Sequence, residues 1–239
     1  LFLAQIAGFV RQLVIGYLLG TGPEADALTA AMAPLEMVWA IMAVALIFGF
    51  GPLFSSRNGR PPHAFGDVLQ PVTGLAIAGA ITLLLFANPV VRLFAPGLDA
   101  ATTATGTWLL RLCSISLIAS ACTFVYNVYL FSRRRFLVPA LQQATVNTAT
   151  VLGGLLLFHQ LGVDSFAYGY VAGSFLHLAC THWYARPILH DPSAVSRQIG
   201  VAELLMTPAP IVAQSLAVEL NMAVTRAYAS TFGSGMTAA

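Results

Sequence analysis

The sequence predicts an all-α, polytopic membrane protein with seven transmembrane helices. Three observations carry that prediction. Charged residues make up 8% of the chain and hydrophobic ones 58%, whereas a soluble domain covers its surface with about 25% charged residues. The mean hydropathy is +0.80. Apolar stretches recur along the chain, each near the ~20 residues that a ~30 Å hydrocarbon core requires. An unclosed backbone in lipid satisfies its own polar groups only as helix.

The first segment, Leu1–Leu19, carries Arg11 and Gln12 near its middle. It lacks the basic start of a signal peptide, and Arg11 interrupts what would be its apolar region. At helical spacing Gln5, Gly8, Gln12 and Gly16 form one stripe, with Arg11 beside it next to Ala4, Ala7 and Gly8. Leu3, Ile6, Val10, Leu13, Val14 and Tyr17 occupy the other side. An arginine at a helix centre costs about 2.5–3.5 kcal/mol on insertion scales, and such charges face interiors or pathways. Gln5, Gly8, Arg11 and Gln12 are therefore expected to line a polar cavity. The competing reading is a structural Arg11 paired to a neighbouring helix.

The second segment spans about Ala25–Phe54. Before it, TGPEAD reads as a capping box with Thr21 as N-cap and Glu24 at N3. Asp26 adds negative charge where the helix dipole is positive. Inside this segment Glu36 follows Pro34. Three readings of Glu36 stand: a pair with Arg11, a site for a coupling cation, or a neutral carboxyl whose pKa burial raises.

The third segment is about Val68–Phe86, and the fourth about Thr107–Phe131. Arg111 lies near the outer end of the fourth, where snorkelling to the interface competes with a substrate contact. The fifth, about Val138–Phe158, carries Gln142, Gln143 and Asn147. The sixth is about Ser165–Tyr184. The seventh, about Leu204–Phe232, carries Gln214, Glu219, Asn221 and Arg226. Polar residues of the fifth and seventh segments are candidates for the same cavity as Arg11.

Loop charges supply an orientation. All eleven basic residues counted as Lys or Arg are Arg. Arg57 and Arg60, the run Arg133–Arg135, Arg186 and Arg197 fall in the even loops; Arg92 stands alone in the odd ones. That imbalance places the even loops and the amino terminus in the cytoplasm. The net charge of +2 gives no basis for a nucleic-acid partner.

Cys113, Cys122 and Cys180 lie in apolar segments without metal-type spacing. His177 and His182 are about 140° apart on a helix, so they do not converge on a metal. No nucleophile–base set or phosphate loop appears, and the chain is not expected to be an enzyme.

Several stretches resemble the MviN/MurJ lipid II flippases. GFVRQLVIGYLLGTGPEADALTAA resembles that family's first hairpin, matching at Gly8, Phe9, Arg11, Ile15, Gly20, Gly22, Asp26 and Ala27. APGLDAATTATGTWLLRL, RRRFLVPALQQATVN (at Arg135, Phe136, Pro139, Ala140 and Asn147), AYGYVAGSFLHL and AVTRAYASTFGSGMTAA resemble later family segments in order. The resemblance implies a lobe similar to those of MurJ and MATE transporters, working by alternating access. Residues 1–200 would form a six-helix amino-terminal lobe, and 201–239 the start of a second lobe. The missing initial Met and the GSGMTAA end suggest a piece of a longer protein.

The implied function is translocation of an undecaprenyl-pyrophosphate-linked glycan across the bacterial inner membrane. The implied partners are that lipid-linked oligosaccharide and membrane lipids. Arg11, Asp26, Glu36, Arg111, Asn147 and Arg226 are the candidate substrate-binding residues. No bound cofactor or metal is expected; a coupling cation (Na+ or H+) or the membrane potential would supply energy. The chain departs from the family pattern at Gln5, where an Arg is usual, at Gln12, where an Asp is usual, and after Pro34. A related glycan therefore fits as well as lipid II. A MATE-like cation-coupled exporter and a membrane scaffold of polysaccharide assembly are the competing readings.

Overall fold

The computed structural model describes residues 2–44, 54, 64–189, 209–229 and 231. Arg57, Arg60, Arg197 and the predicted segment ends at 45–53 and 204–208 lie outside them. The described residues form α1 (Phe2–Leu19), α2 (Pro23–Val44), α3 (Phe65–Leu85), α4 (Ala87–Phe94), α5 (Ala100–Ser114), α6 (Ser116–Ser132), α7 (Leu137–Ala140), α8 (Gln142–Leu161), α9 (Asp164–Ala185) and α10 (Ala209–Ala229). A 3-10 turn at Arg186–Ile188 follows α9. No strand occurs among the described residues.

Four helical runs are long and apolar enough to cross a membrane by length and composition: α1, α2, α3 and the run Ala100–Ser132. The helices α8, α9 and α10 are as long, with 20, 22 and 21 residues. The protein is a multi-pass, all-helical membrane protein.

Two boundaries differ from the sequence reading. The helix α2 begins at Pro23, and the Gly22 carbonyl accepts the Asp26 N–H at 3.2 Å. Gly22 rather than Thr21 thus opens the backbone ladder. The fourth segment starts earlier, at Ala100, because Asp99 caps it by accepting the Thr102 N–H at 2.8 Å. Hydrogen bonds from the Thr102 side chain and backbone hold the Asp99 carboxyl below its ordinary value. This segment then breaks between α5 and α6. Ser114 and Ser116 donate their hydroxyls to the carbonyls of Arg111 and Cys113 at 2.7 and 2.6 Å. Such side-chain bonds compete with the helix ladder and bend it.

The core has two main parts. One joins α2, α4, α5 and the start of α9 through Leu28, Leu35, Val91, Leu109, Leu110 and Phe166, all buried. The other joins α3 and α6 through Val68, Val72, Val125 and Tyr129, with Phe54 against them. At this second end the ring of Phe65 meets Tyr126 and Tyr129 at 4.7 and 5.2 Å. Tyr129 donates its hydroxyl to the Ile188 carbonyl at 2.6 Å. The Arg133 and Arg135 guanidiniums lie over Tyr129 and Tyr184 at 5.2 and 5.5 Å. The start of α3, the end of α6 and the end of α9 thus share one end of the bundle, as the even-loop assignment requires. At the other end Trp108 Nε1 donates to Asp164 at 3.1 Å.

The helices α8 and α9 meet backbone to backbone. A Cβ built on Gly169 would lie 2.6 Å from the Ala149 carbonyl oxygen, and one on Gly153 2.7 Å from that of Ser165. Membrane helices gain van der Waals contact by such approaches at small residues. Gly169→Val is expected to lower stability by about 3 kcal/mol or more, above the usual overpacking cost because backbone is the obstacle. Gly16→Ala, with nothing within 4 Å of the added atom, is expected to be neutral or slightly stabilising. Thermal unfolding of the purified protein in detergent compares the two; equal effects would contradict the packing.

Candidate functional site

The helix α1 buries none of its residues fully. Phe2, Leu3, Ile6, Phe9, Val10, Leu13 and Tyr17 are exposed, the lipid-like face read from the sequence. Val14 is an exception, turned with Ile15, Leu18 and Leu19 onto the core. Arg11 shares the inward half of the helix with Ala4, Ala7 and Gly8. Gly8 packs against α8, where an added Cβ would meet the Asn147 Nδ2 at 3.4 Å. Arg11 therefore projects beside α8 toward α2.

There it meets Glu36. Arg11 Nη2 donates toward Glu36 Oε1 at 3.5 Å, the outer limit of a hydrogen bond, so the contact is chiefly ionic. Arg226 of α10 donates Nη2 to Glu36 Oε2 at 3.2 Å. One carboxylate thus bridges two guanidiniums from α1 and α10. The helix α2 continues through Pro34 to hold Glu36 in place. The three side chains are partly open, at 17%, 40% and 35% of their full exposure for Arg11, Glu36 and Arg226.

The openness has a cause. The bridge forms part of the wall of a cavity of about 350 Å³. Arg11, Glu36, Glu219 and Arg226 give it a charged side, while α6, α8 and α9 contribute Ser120, Thr123, Gln142, Gln143, Asn147, Ser174 and His177. Trp39 and Tyr170 supply aromatic surface. A smaller cavity of about 80 Å³ lies on the other side of the bridge, lined by Gln12, Ile15, Leu28, Thr29, Thr150 and Phe166. Arg11, Glu36 and Arg226 line both. Gln142 and Gln143 open α8 just after the arginine run, so the larger cavity lies in the arginine-rich half of the bundle. Phe166 and Leu28 put the smaller one in the opposite half.

The charged side sums to zero formally, two Arg against two Glu. An anionic ligand would therefore exchange with a carboxylate rather than fill an unbalanced positive site. Arg11 Nε is also buried without a partner among the described residues.

Other predicted site residues lie apart. Arg111 is exposed and donates Nε to the Leu84 carbonyl at 3.3 Å, near the end of α3. It lines neither cavity. Asp26 is 1% exposed and lines neither cavity. Gln5 is exposed and likewise stands outside both. The face of α1 that turns inward is thus the Ala4–Ala7–Arg11 edge of the expected stripe. His177 and His182 diverge: His177 lines the cavity, while His182 Nδ1 pairs with the Tyr126 hydroxyl at 2.7 Å. Thr123, Ser174 and Trp39 were not legible as site residues, because hydroxyls and aromatics are common in apolar segments.

The model of the family described as "Lipid II flippase MurJ" matches residues 15–239. The chain belongs to the lipid II flippase MurJ family. No curated protein matches it. Among solved structures, it is similar to a lipid II flippase MurJ in an inward closed conformation, with 20% identity, a TM-score of 0.79, and coverage of 99% of this chain and 52% of that one. The MATE multidrug transporter DinF-BH is similar at 20% identity and TM-score 0.81, covering 99% and 55%. A MOP superfamily transporter from Pyrococcus furiosus is similar at 17% identity and TM-score 0.70, covering 93% and 51%. These likenesses place the fold among MurJ and MATE transporters. The chain spans about half the length of the solved structures it matches.

The bridge generates a test. Glu36→Gln removes one negative charge from a balanced wall. Affinity for inorganic pyrophosphate is expected to rise roughly threefold to tenfold, the scale of about one kcal/mol for a partly open charge. Stability should change by less than about 1 kcal/mol, since the pairs are solvent-screened. Titration calorimetry and thermal unfolding of the same sample check both; unchanged pyrophosphate affinity would contradict the exchange.

Proposed function

We propose that this chain forms the first lobe, residues 1–200, and the beginning of a second, 201–239, of a bacterial inner-membrane flippase. Its substrate is an undecaprenyl-pyrophosphate-linked glycan, lipid II or a related lipid-linked oligosaccharide, moved from the cytoplasmic to the outer leaflet. The observation that carries this reading is the meeting of Arg11, Glu36 and Arg226 on the wall of a cavity between membrane helices. Family membership supplies the transport class.

A pyrophosphate cannot cross hydrocarbon unpartnered, because stripping its water is too costly. Guanidiniums offer it short, charge-assisted hydrogen bonds. Before the headgroup enters, Glu36 keeps both guanidiniums partnered. On entry the phosphates take Arg11 and Arg226, and Glu36 turns toward water. Breaking the Glu36 bridge loosens α1 and α10 from α2, which couples loading to the rocking of one lobe against the other. A coupling cation or the membrane potential resets the cycle. The arginine-rich loops and the amino terminus face the cytoplasm, so the larger cavity is the loading side. Asp26 and Arg111 serve the fold and the interface in this scheme; Asn147 contributes from the neutral wall.

A second reading, a MATE-like cation-coupled exporter, draws on the partly open Glu36 carboxylate. It assigns the cation to Glu36 and gives Arg11 no substrate. Arg11→Ala in the intact protein separates the two. Under the flippase reading it weakens pyrophosphate contacts by about 10- to 100-fold, the worth of a hydrogen bond between charged groups. The variant is then expected to fail to rescue a strain depleted of its own lipid-linked glycan flippase. Full rescue at normal protein levels would contradict the flippase reading. Altered drug susceptibility in Glu36→Gln with glycan export intact would favour the exporter. Normal export after neutralising Arg11 and Arg226 together would point to a scaffold.

A further inference from the structure

The arginine run after α6 carries a backbone anomaly that neither cavity explains. The chain leaves α6 through two hydrogen bonds. The Arg135 N–H donates to the Leu130 carbonyl at 2.9 Å, and the Arg134 N–H to that of Phe131 at 3.0 Å. This paired closure ends many helices, and it requires a left-handed backbone at the residue between the helix end and the final donor. Arg134 is that residue, with φ 56°. Glycine is the usual occupant, because a Cβ disfavours the left-handed region. The other positive φ values among the described residues belong to Gly20 and Gly162. An arginine here costs stability, and strain of this kind persists where the side chain has a function.

The neighbours show what surrounds that side chain. Arg133 and Arg135 lie over the rings of Tyr129 and Tyr184. Arg134 is exposed, and makes neither ring contact nor ion pair among the described residues. Next in the chain, Phe136 and Leu137 are 58% and 67% exposed. Trp183, 78% exposed, stands in the last turn of α9 beside Tyr184, the ring under Arg135. Tryptophan in multi-pass proteins concentrates at the level of the lipid headgroups. The cluster therefore sets an unpaired guanidinium at headgroup depth, with two apolar side chains beside it.

That combination selects a partner. A phosphate accepts charge-assisted hydrogen bonds from a guanidinium, and acyl chains take up exposed apolar side chains at the interface. An anionic phospholipid carries both parts in one molecule.

We propose that Arg134, Phe136 and Leu137 form a docking surface for an anionic phospholipid at the arginine-rich end of the bundle. None of the three lines either cavity, so this surface is separate from the Arg11–Glu36–Arg226 site. It lies just before α8, whose first residues Gln142 and Gln143 line the larger cavity. A lipid held there anchors the segment that leads into that wall.

The test uses the intact protein in detergent and two probes, phosphatidylglycerol and phosphatidylcholine, with bound lipid counted by native mass spectrometry. The wild type is expected to hold phosphatidylglycerol more tightly. Arg134→Gly supplies the residue this backbone prefers and removes the guanidinium. It is expected to weaken phosphatidylglycerol binding about fivefold, the worth of one basic residue at an anionic surface, and to leave phosphatidylcholine unchanged. In nanodiscs of phosphatidylcholine alone the same variant is expected to unfold at the wild-type temperature or above it, because the strain is relieved. Arg134→Lys keeps the charge and is expected to keep most of the preference. Arg92→Gln removes an exposed arginine outside this surface and is expected to change nothing. A wild type without preference for phosphatidylglycerol, or Arg134→Gly binding it as tightly as wild type, would overturn the surface. So would an equal loss in Arg92→Gln, which would reduce the effect to net charge. A lower unfolding temperature for Arg134→Gly in phosphatidylcholine would assign Arg134 to the fold instead.

Discussion

A charge inside a membrane protein must be partnered, and in this chain Glu36 is the partner. It bridges Arg11 and Arg226 at 3.5 and 3.2 Å, and so ties α1 and α10 to α2. An arginine in a membrane helix carries a penalty of a few kcal/mol when it meets neither a partner nor water. The bridge and the adjoining cavities reduce it. It also fixes where the two cavities are divided, because the same three side chains line both.

The remaining structure holds the wall opposite. Glycines at 153, 169 and 173 bring α8 and α9 into backbone contact, so the two helices present Gln142, Asn147, Ser174 and His177 as one surface. Hydroxyls of Ser114 and Ser116 break the long fourth span, and α6 restarts with Ser120 and Thr123 beside that surface. Aromatic contacts among Phe54, Phe65, Tyr126 and Tyr129 close the arginine-rich end. Each wall is thus set by ordinary helix packing, and its polar groups follow from which face each helix buries.

The fold class was legible from hydropathy alone, because composition leaves no soluble alternative. Arg11 facing inward was legible too, since small residues beside a charge mark a helix's packed side. Glu36 pairing with Arg11 was one of three open readings, and Arg226 joining it was not foreseen: contact between residues 190 positions apart leaves no trace in local spacing. Gln5 misled, because periodicity ranks polarity around a helix without showing where the neighbours stand; Gln12, on the same stripe, reaches only the smaller cavity. The Asp99 cap, which starts α5 at Ala100, was missed, so the fourth segment was read as beginning near Thr107.

The most direct measurement is a cryo-EM structure of the intact protein in lipid nanodiscs with a pyrophosphate-linked glycan lipid bound. The account predicts phosphate oxygens at hydrogen-bond distance, about 2.7–2.9 Å, from the Arg11 and Arg226 guanidiniums, with the Glu36 carboxylate displaced from both. A lipid headgroup seated elsewhere, with Glu36 still bridging the two arginines, would contradict it.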